Sequence, residues 1–301
     1  MRSRSWAIAA GAGVLVVAIG VGIVATRTAG TPAAPAPTRT AAAASPRSTP
    51  TPDAVPAAPS QAALAALPLA FHDAVVPQLL DGDQVDPEDT WLIATPRTPL
   101  VALFASPDAG ALPVAALSHL VSTINRPAAT TVWARSPGAD GGMLLVSTPS
   151  RNRTPGDDGD PTAPSATFAW ARAADFTLTR AERMIRVDVA ANTVSVVTRG
   201  GRVEATEPAR LGTPDDPTPV QTATYVEAAY VDARVTYTQG NPIILTGAHS
   251  ARIPSYGGNA ALTALHYYPD PTGSSHGCVR ISAEMTRTLA ALPVGTPIRF
   301  G

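Results

Sequence analysis

Cys278 is the only cysteine in the chain, and it stands in the run Ser275-His276-Gly277-Cys278-Val279-Arg280. A cysteine attacks a carbonyl carbon as its thiolate, so a reactive one needs a neighbouring base or cation and an opening to substrate. His276 lies two residues before Cys278. On an extended segment, residues two apart face the same way, so both side chains can look into one cleft. Gly277 puts no side chain in a substrate's path and lets adjacent backbone N–H groups approach an oxyanion closely. The chemistry available to this run is acyl transfer. Without such neighbours a lone cysteine reads as a small buried hydrophobe.

Other polar groups give weaker signals. His249, His266, His276 and Cys278 make a suitable inventory of zinc ligands, but their separations match no compact zinc motif, and no metal is expected. Asp157, Asp158 and Asp160 lie in a Pro/Gly/Asp-rich stretch between Arg151 and Ala166 that lacks the alternating ligands and distal Glu of a calcium loop. That stretch reads as a solvated insertion. His72 and His119 fall outside the catalytic segment and read as surface or core histidines. The formal net charge is −1, so no basic surface nominates nucleic acid as a partner.

The elements that must position Cys278 read as mainly β. Ile185, Val187 and Val189 alternate with Arg186 and Asp188, Ala191-Asn192 makes a turn, and Val194 and Val196 return. Gly200-Gly201 is a second turn, with a strand over Arg202 to Ala205, and further strands fit 222–226, 242–245 and 262–266. Met285, Leu289 and Leu292 share one helical face after the cysteine. Ser282 is placed to cap that helix, Glu284 lies in its first turn and Pro293 beyond its end. Between Thr90 and Thr177, brief apolar runs at 91–93, 100–104, 131–134, 143–146 and 167–170 are separated by Pro and Gly, the pattern of a small barrel or sandwich.

The N-terminus points to export. Arg2 and Arg4 precede an uncharged, mostly apolar run from Trp6 to Ala25, closed by Arg27. Roughly 20 such residues suffice to cross a bilayer core of about 30 Å, whereas a cleavable signal's apolar core is usually about 7–15. An uncleaved anchor is expected, with its short tip in the cytoplasm and everything after Arg27 outside. A cleaved, secreted form is the alternative. Residues 28–60 are Ala, Pro, Thr and Ser with too little apolar surface to fold, and read as a disordered, extended spacer. The heavy use of Ala and Pro and the absence of lysine suggest a GC-rich bacterial genome.

The motif resembles the YkuD-type L,D-transpeptidases, of an actinobacterial-like kind. Their signature is a histidine on one strand followed by [Ser/Thr]-His-Gly-Cys, a hydrophobic residue and Arg or Asn. Here those positions are His266 and Ser275 to Arg280, and the resemblance runs from about Met184 to Phe300. Phe168-Ala169-Trp170-Ala171-Arg172 is similar to the closing strand of bacterial SH3-like modules.

The resemblance implies a YkuD-type β-sandwich with one short helix after the cysteine, preceded by an SH3-like barrel. The boundaries it suggests are an anchor at 1–27, a linker at 28–60, a short helical or irregular segment at 61–89, the small β domain at 90–178 and the catalytic domain at 179–301. Cys278 would be the nucleophile and His266 the general base, with one ring nitrogen held by a backbone carbonyl. His249 becomes the base if the motif spacing is longer. His276 would position the donor, the N–H groups around Gly277 and Cys278 would form the oxyanion hole, and Ser275 and Arg280 would serve the loop or touch substrate.

The implied reaction is formation of 3→3 cross-links between peptidoglycan stem peptides through a thioester, without a cofactor, and with acylation of Cys278 by carbapenems. Hydrolysis by the same site, or a non-catalytic wall-binding protein, are the rival readings. Papain-like and NlpC/P60-type enzymes place cysteine before histidine, the reverse of the order here. Three positions depart from the family pattern: the short His266 to Cys278 interval, Tyr267 in place of glycine, and Gln221 in place of the glycine of Thr-Pro-x-Gly. Asp270-Pro271-Thr272-Gly273 supplies a turn that suits the shorter interval.

Overall fold

Residues 53–258 and 260–301 are described by a computed structural model. The expected membrane anchor and most of the expected linker lie outside the described residues. Two large sheets account for most of the remainder, and the chain passes from the first to the second between Arg180 and Arg183.

In the first sheet the strands lie in the order Leu69–Ala70, Pro113–Ser118, Leu100–Phe104, Thr167–Arg172, Met143–Thr148, Thr130–Ser136, Leu92–Pro96 and Phe176–Arg180. Leu80–Asp81 also pairs with Thr167–Arg172. Each apolar run noted between residues 91 and 170 forms a strand of this sheet. Four strands of this sheet went unread in the sequence: Pro113–Ser118, in an alanine-rich stretch, the short Leu69–Ala70, which pairs with it in parallel, Leu80–Asp81 and Phe176–Arg180. The stretch 61–89 is more ordered than its composition suggests. Ser60 caps the helix Gln61–Ala65 by accepting a hydrogen bond from the N–H of Ala63. Pro68, with no N–H to donate, ends any continuation of that helix and hands the chain to the sheet. Thr167–Arg172 sits in the middle of the sheet, and Phe176–Arg180 takes the edge.

The stretch 151–166 is not simply a solvated insertion. Arg151 is only 1% exposed, and Ala163 and Ala166 are buried, while Asp157 and Asp158 stand in solvent. An arginine avoids this degree of burial unless its guanidinium finds partners.

The second sheet runs Val203–Pro208, Thr193–Thr198, Arg183–Asp188, Pro297–Phe300, Thr222–Tyr230, Ile243–His249, Leu262–Tyr267 and Val279–Ile281. The opening hairpin has the register its alternation demands, with Ile185 opposite Val196 and Val187 opposite Val194. Asn192 turns it at φ 54°. The last strand pairs in parallel with the first of this sheet, Ile185 opposite Ile298, so the chain's end lies mid-sheet. The short helix Ala283–Ala290 is capped by Ser282, whose hydroxyl accepts from the N–H of Met285. It buries Met285 and Leu289 against Ile244 and Leu265. Burial of each such side chain is worth about 1.5–3 kcal/mol, enough to fix a helix that would not persist alone.

Candidate active site

Strand register brings the catalytic candidates together. Leu262–Tyr267 and Val279–Ile281 run parallel, with Leu265 opposite Val279, His266 opposite Arg280 and Tyr267 opposite Ile281. Leu265, Val279 and Ile281 point into the hydrophobic core. By alternation His266, Cys278 and Arg280 share the opposite face, with Cys278 at the head of its strand, diagonally across from His266.

His266 is buried, and its Nδ1 lies 2.9 Å from the carbonyl oxygen of Tyr267. That contact assigns the ring proton to Nδ1 and leaves the lone pair on Nε2. Burial holds its pKa below 6.5, and the positive charges of Arg280 and Arg210 act in the same direction, against the raising effect of the Tyr267 hydrogen bond. The imidazole is therefore neutral at pH 7, as a proton acceptor must be. Tyr237 packs against it with ring centres 5.4 Å apart, and Tyr268 lies 5.6 Å beyond Tyr237. The Arg280 guanidinium stacks 4.0 Å over the Tyr268 ring, while its Nε is buried with no hydrogen-bond partner among the described residues.

The Cys278 side of the site is a tight loop. Ser275 is buried, its N–H donating to the Leu211 carbonyl at 2.8 Å and its hydroxyl donating to the carbonyl of Cys278. This closes the loop and puts Gly277 at φ 93°, which favours glycine. No acceptor among the described residues takes the N–H of Gly277 or Cys278, so both are available to an oxyanion. Cys278 is partly exposed, with Sγ 3.9 Å from the Leu262 carbonyl oxygen. Burial pushes its thiol pKa above the ordinary value, only partly offset by the Ala264 backbone and the positive charge of Arg280. The resting pair is thus a thiol beside a neutral imidazole, which calls for proton removal during attack rather than a standing thiolate.

His276 is largely exposed, with Nδ1 2.6 Å from Oδ2 of Asp216. The Tyr256 hydroxyl donates to the His276 carbonyl. Neither Asp216 nor Tyr256 was singled out in the sequence. Asp216 sits in Asp215-Asp216-Pro217-Thr218, where Thr218-Pro219 are the Thr-Pro that precede Gln221, and Tyr256 is an aromatic in a glycine-bearing loop between strands. Either context is a signal for a functional loop. The short His266 to Cys278 interval is closed as its turn residues suggest: Asp270 Oδ1 accepts from the N–H of Thr272 at 2.8 Å. Arg210 staples the same loop through the carbonyls of Thr272 at 2.7 Å and Tyr268 at 3.2 Å.

A Cβ at Gly277 would lie 3.1 Å from the Pro217 carbonyl oxygen, a tight contact that the loop must relieve by a few tenths of an ångström, and the positive φ strains any other residue there. Gly277→Ala is expected to cost about 1–3 kcal/mol through the backbone conformation alone. It should also slow acylation of Cys278, read as a lower melting temperature and a reduced rate of covalent labelling. Unchanged labelling would show that the left-handed turn is dispensable.

His249 is deeply buried, with Nε2 2.9 Å from the His72 carbonyl oxygen. Burial, with Arg151 nearby, depresses its pKa to about 3, which suits a structural group better than a base. Folding favours its neutral form, so between pH 6.5 and 3 the unfolded chain binds the additional proton. This histidine's contribution to stability is complete above pH 6.5 and is lost as pH falls towards 3, by up to about 4–5 kcal/mol. Melting curves from pH 7 to pH 4 should therefore show a smaller acid loss in His249→Gln than in wild type. Equal losses would rule His249 out as the source. The His119 ring lies far along the chain from this site, with Nδ1 3.1 Å from the Pro99 carbonyl oxygen.

Residues 182–299 match the family model of the L,D-transpeptidase catalytic domain, YkuD. That stretch is a YkuD-type L,D-transpeptidase catalytic domain. Among solved structures, the chain is similar to the Bdellovibrio bacteriovorus protein Bd1075, at 22% identity over 40% of this chain and 48% of that one, with a TM-score of 0.32. It is similar to an L,D-transpeptidase (Yku) from Stackebrandtia nassauensis, at 18% identity over 40% and 55%, with a TM-score of 0.28. A third is an L,D-transpeptidase from Mycobacterium smegmatis, at 19% identity over 58% and 94%, with a TM-score of 0.32. The chain spans about half the length of the first two. No curated protein matches significantly. The L,D-transpeptidase domain includes His266 and the whole run from Ser275 to Arg280, while the first sheet lies outside the matched residues.

Proposed function

We propose that the chain forms 3→3 cross-links in peptidoglycan through a thioester on Cys278. The observation that carries this reading is the placement of Cys278 and His266 on one face of adjacent parallel strands, beside two backbone N–H groups without acceptors among the described residues. The thiol sulfur attacks the carbonyl carbon of the third residue of a tetrapeptide stem as its proton passes to Nε2 of His266. The N–H groups of Gly277 and Cys278 hold the oxyanion. Collapse of the intermediate breaks the bond to the terminal D-alanine, whose amine leaves with the proton from His266. The side-chain amine of a second stem then attacks the thioester, forming the new amide and returning the thiol. His276, held by Asp216, borders the donor, and Arg280 supplies positive charge on the same face. Every step moves protons and an acyl group only, so the reaction calls for no metal or cofactor.

In this reading the apolar run 6–25 anchors the chain in the cytoplasmic membrane, the proline-rich linker spaces it from the bilayer, and the catalytic domain works outside. The first sheet would serve as an SH3-like module facing the wall. Carbapenems would acylate Cys278 because their strained carbonyl meets the same nucleophile and oxyanion donors.

The test is incubation of the protein with a disaccharide-tetrapeptide, followed by mass spectrometry. A thioester adduct, free D-alanine and a cross-linked dimer are expected. Tripeptide without dimer would mark the site as hydrolytic, and no adduct at all would overturn the enzymatic reading.

A further inference from the structure

The loop that carries Tyr256 is tied to the first sheet in part by one buried arginine. Arg151 follows the strand Met143–Thr148, and its backbone is pinned on both sides: its N–H donates to the Ala74 carbonyl at 3.1 Å, and its carbonyl accepts from the N–H of Val76 at 2.8 Å. Its side chain leaves that sheet and enters the catalytic domain, where Nη2 donates to the carbonyls of Ser250 and Ile253, both at 3.0 Å. Its Nε and Nη1 are buried without hydrogen-bond partners among the described residues. Desolvating a guanidinium for two hydrogen bonds is a poor bargain for stability alone, since an apolar side chain of similar volume is often as stable or better.

The loop it holds reaches the backbone of His276, two residues before Cys278. The same stretch is tied to the first sheet's connections by the N–H of His249 on the Ser165 carbonyl at 2.8 Å, and by the N–H of Ala163 on the Ala251 carbonyl at 2.9 Å. Three residues past Ile253, the Tyr256 hydroxyl donates to the carbonyl of His276. Arg252 reaches the Pro214 carbonyl at 3.3 Å, on the loop that also carries Asp216. Displacing residues 250–256 would therefore disturb the His276 backbone on one side and the Asp216 loop on the other, both adjoining Cys278.

We propose that Arg151 is a positioning residue for the active site: from the first sheet it fixes the backbone at Ser250 and Ile253, and through Tyr256 it sets the peptide of His276 beside the nucleophile. The N-terminal sheet is then part of the catalytic apparatus and not only a spacer or wall-binding module. The proposal rests on Cys278 being the acylated nucleophile.

The test is a double-mutant cycle in the full-length chain, with imipenem as the probe and the rate of Cys278 acylation as the readout. Arg151→Met and Tyr256→Phe are each expected to slow acylation, Arg151→Met by on the order of 10- to 100-fold. The double variant should be no slower than the slower single, because both changes break one chain of contacts. Additive effects, or a folded Arg151→Met that is acylated at the wild-type rate, would overturn the proposal. Should Arg151→Met fail to fold, Arg151→Lys carries the test. It keeps the charge but cannot place a planar donor fork on two carbonyls, so it should speed amide hydrogen exchange over residues 250–258 while exchange in the hairpin 183–198 stays unchanged. Wild-type exchange at 250–258 in that variant would also overturn the proposal. If imipenem leaves the wild type unlabelled, the acyl-transfer reading fails, and the exchange comparison still decides whether Arg151 orders the loop.

Discussion

Cys278→Ala should remove covalent labelling completely and lower turnover of a tetrapeptide donor by roughly 10⁴-fold or more, the scale seen when a catalytic nucleophile is deleted. Cys278 is the chain's only cysteine, so no second thiol can substitute for it. Its side chain is partly exposed, and Val279 and Leu265 fill the core behind it, so its removal leaves little cavity. The variant should melt close to wild type, separating loss of chemistry from loss of fold. Cys278→Ser is the more demanding control. It keeps a nucleophilic atom, but a serine hydroxyl is far harder to ionise than a thiol, and a neutral, buried His266 is a weak base for it. Intact-mass measurement after incubation with imipenem reads both variants. An adduct of unchanged rate in Cys278→Ala would place the nucleophile elsewhere and end the acyl-enzyme reading.

Period-two alternation made the hairpin from Arg183 to Thr198 legible, because Arg186 and Asp188 must face water while Ile185 and Val187 cannot. The helix after Cys278 was legible for a similar reason, its cap and apolar face both being local. What stayed hidden depends on partners distant in sequence. Pro297–Phe300 lies mid-sheet because it pairs with Arg183–Asp188 on one side and Thr222–Tyr230 on the other, and no local pattern encodes that order.

The site divides along the same line. His266, Ser275, His276, Gly277, Cys278 and Arg280 lie within fifteen residues and could be read from spacing. Asp216 reaches His276 across 60 residues, Tyr256 across 20, and Arg151 reaches Ser250 across 99. Gln221 shows the converse. It stands where the family pattern has glycine, and its φ of 48° lies in the left-handed region that favours glycine, so its backbone suits the residue type it replaces. Arg151 looked like part of a solvated loop because its neighbours Arg153, Asp157 and Asp158 are polar. Composition over a window cannot register one side chain that turns inward.

His266→Gln should lower the acylation rate by about 10²- to 10⁴-fold, the range that a general base contributes. Glutamine can still donate to the Tyr267 carbonyl, so the strand and the Tyr237 contact should survive while proton transfer is lost. The pH dependence then separates two mechanisms. A standing thiolate–imidazolium pair would raise the histidine pKa and lower that of the cysteine, giving an acid limb well below pH 6.5 that belongs to the thiol. The environment of this site does the opposite to both groups: burial keeps His266 neutral and pushes the Cys278 thiol up. Acylation in the wild type should therefore fall in acid only as His266 itself protonates, below pH 6.5, remain level through neutrality, and rise again in alkali as the thiol ionises. In His266→Gln the acid limb should vanish and the alkaline rise remain, since hydroxide can still ionise the thiol without the base. An acid limb of unchanged position in His266→Gln would transfer the base role to another group, with His276, held by Asp216, the next to test.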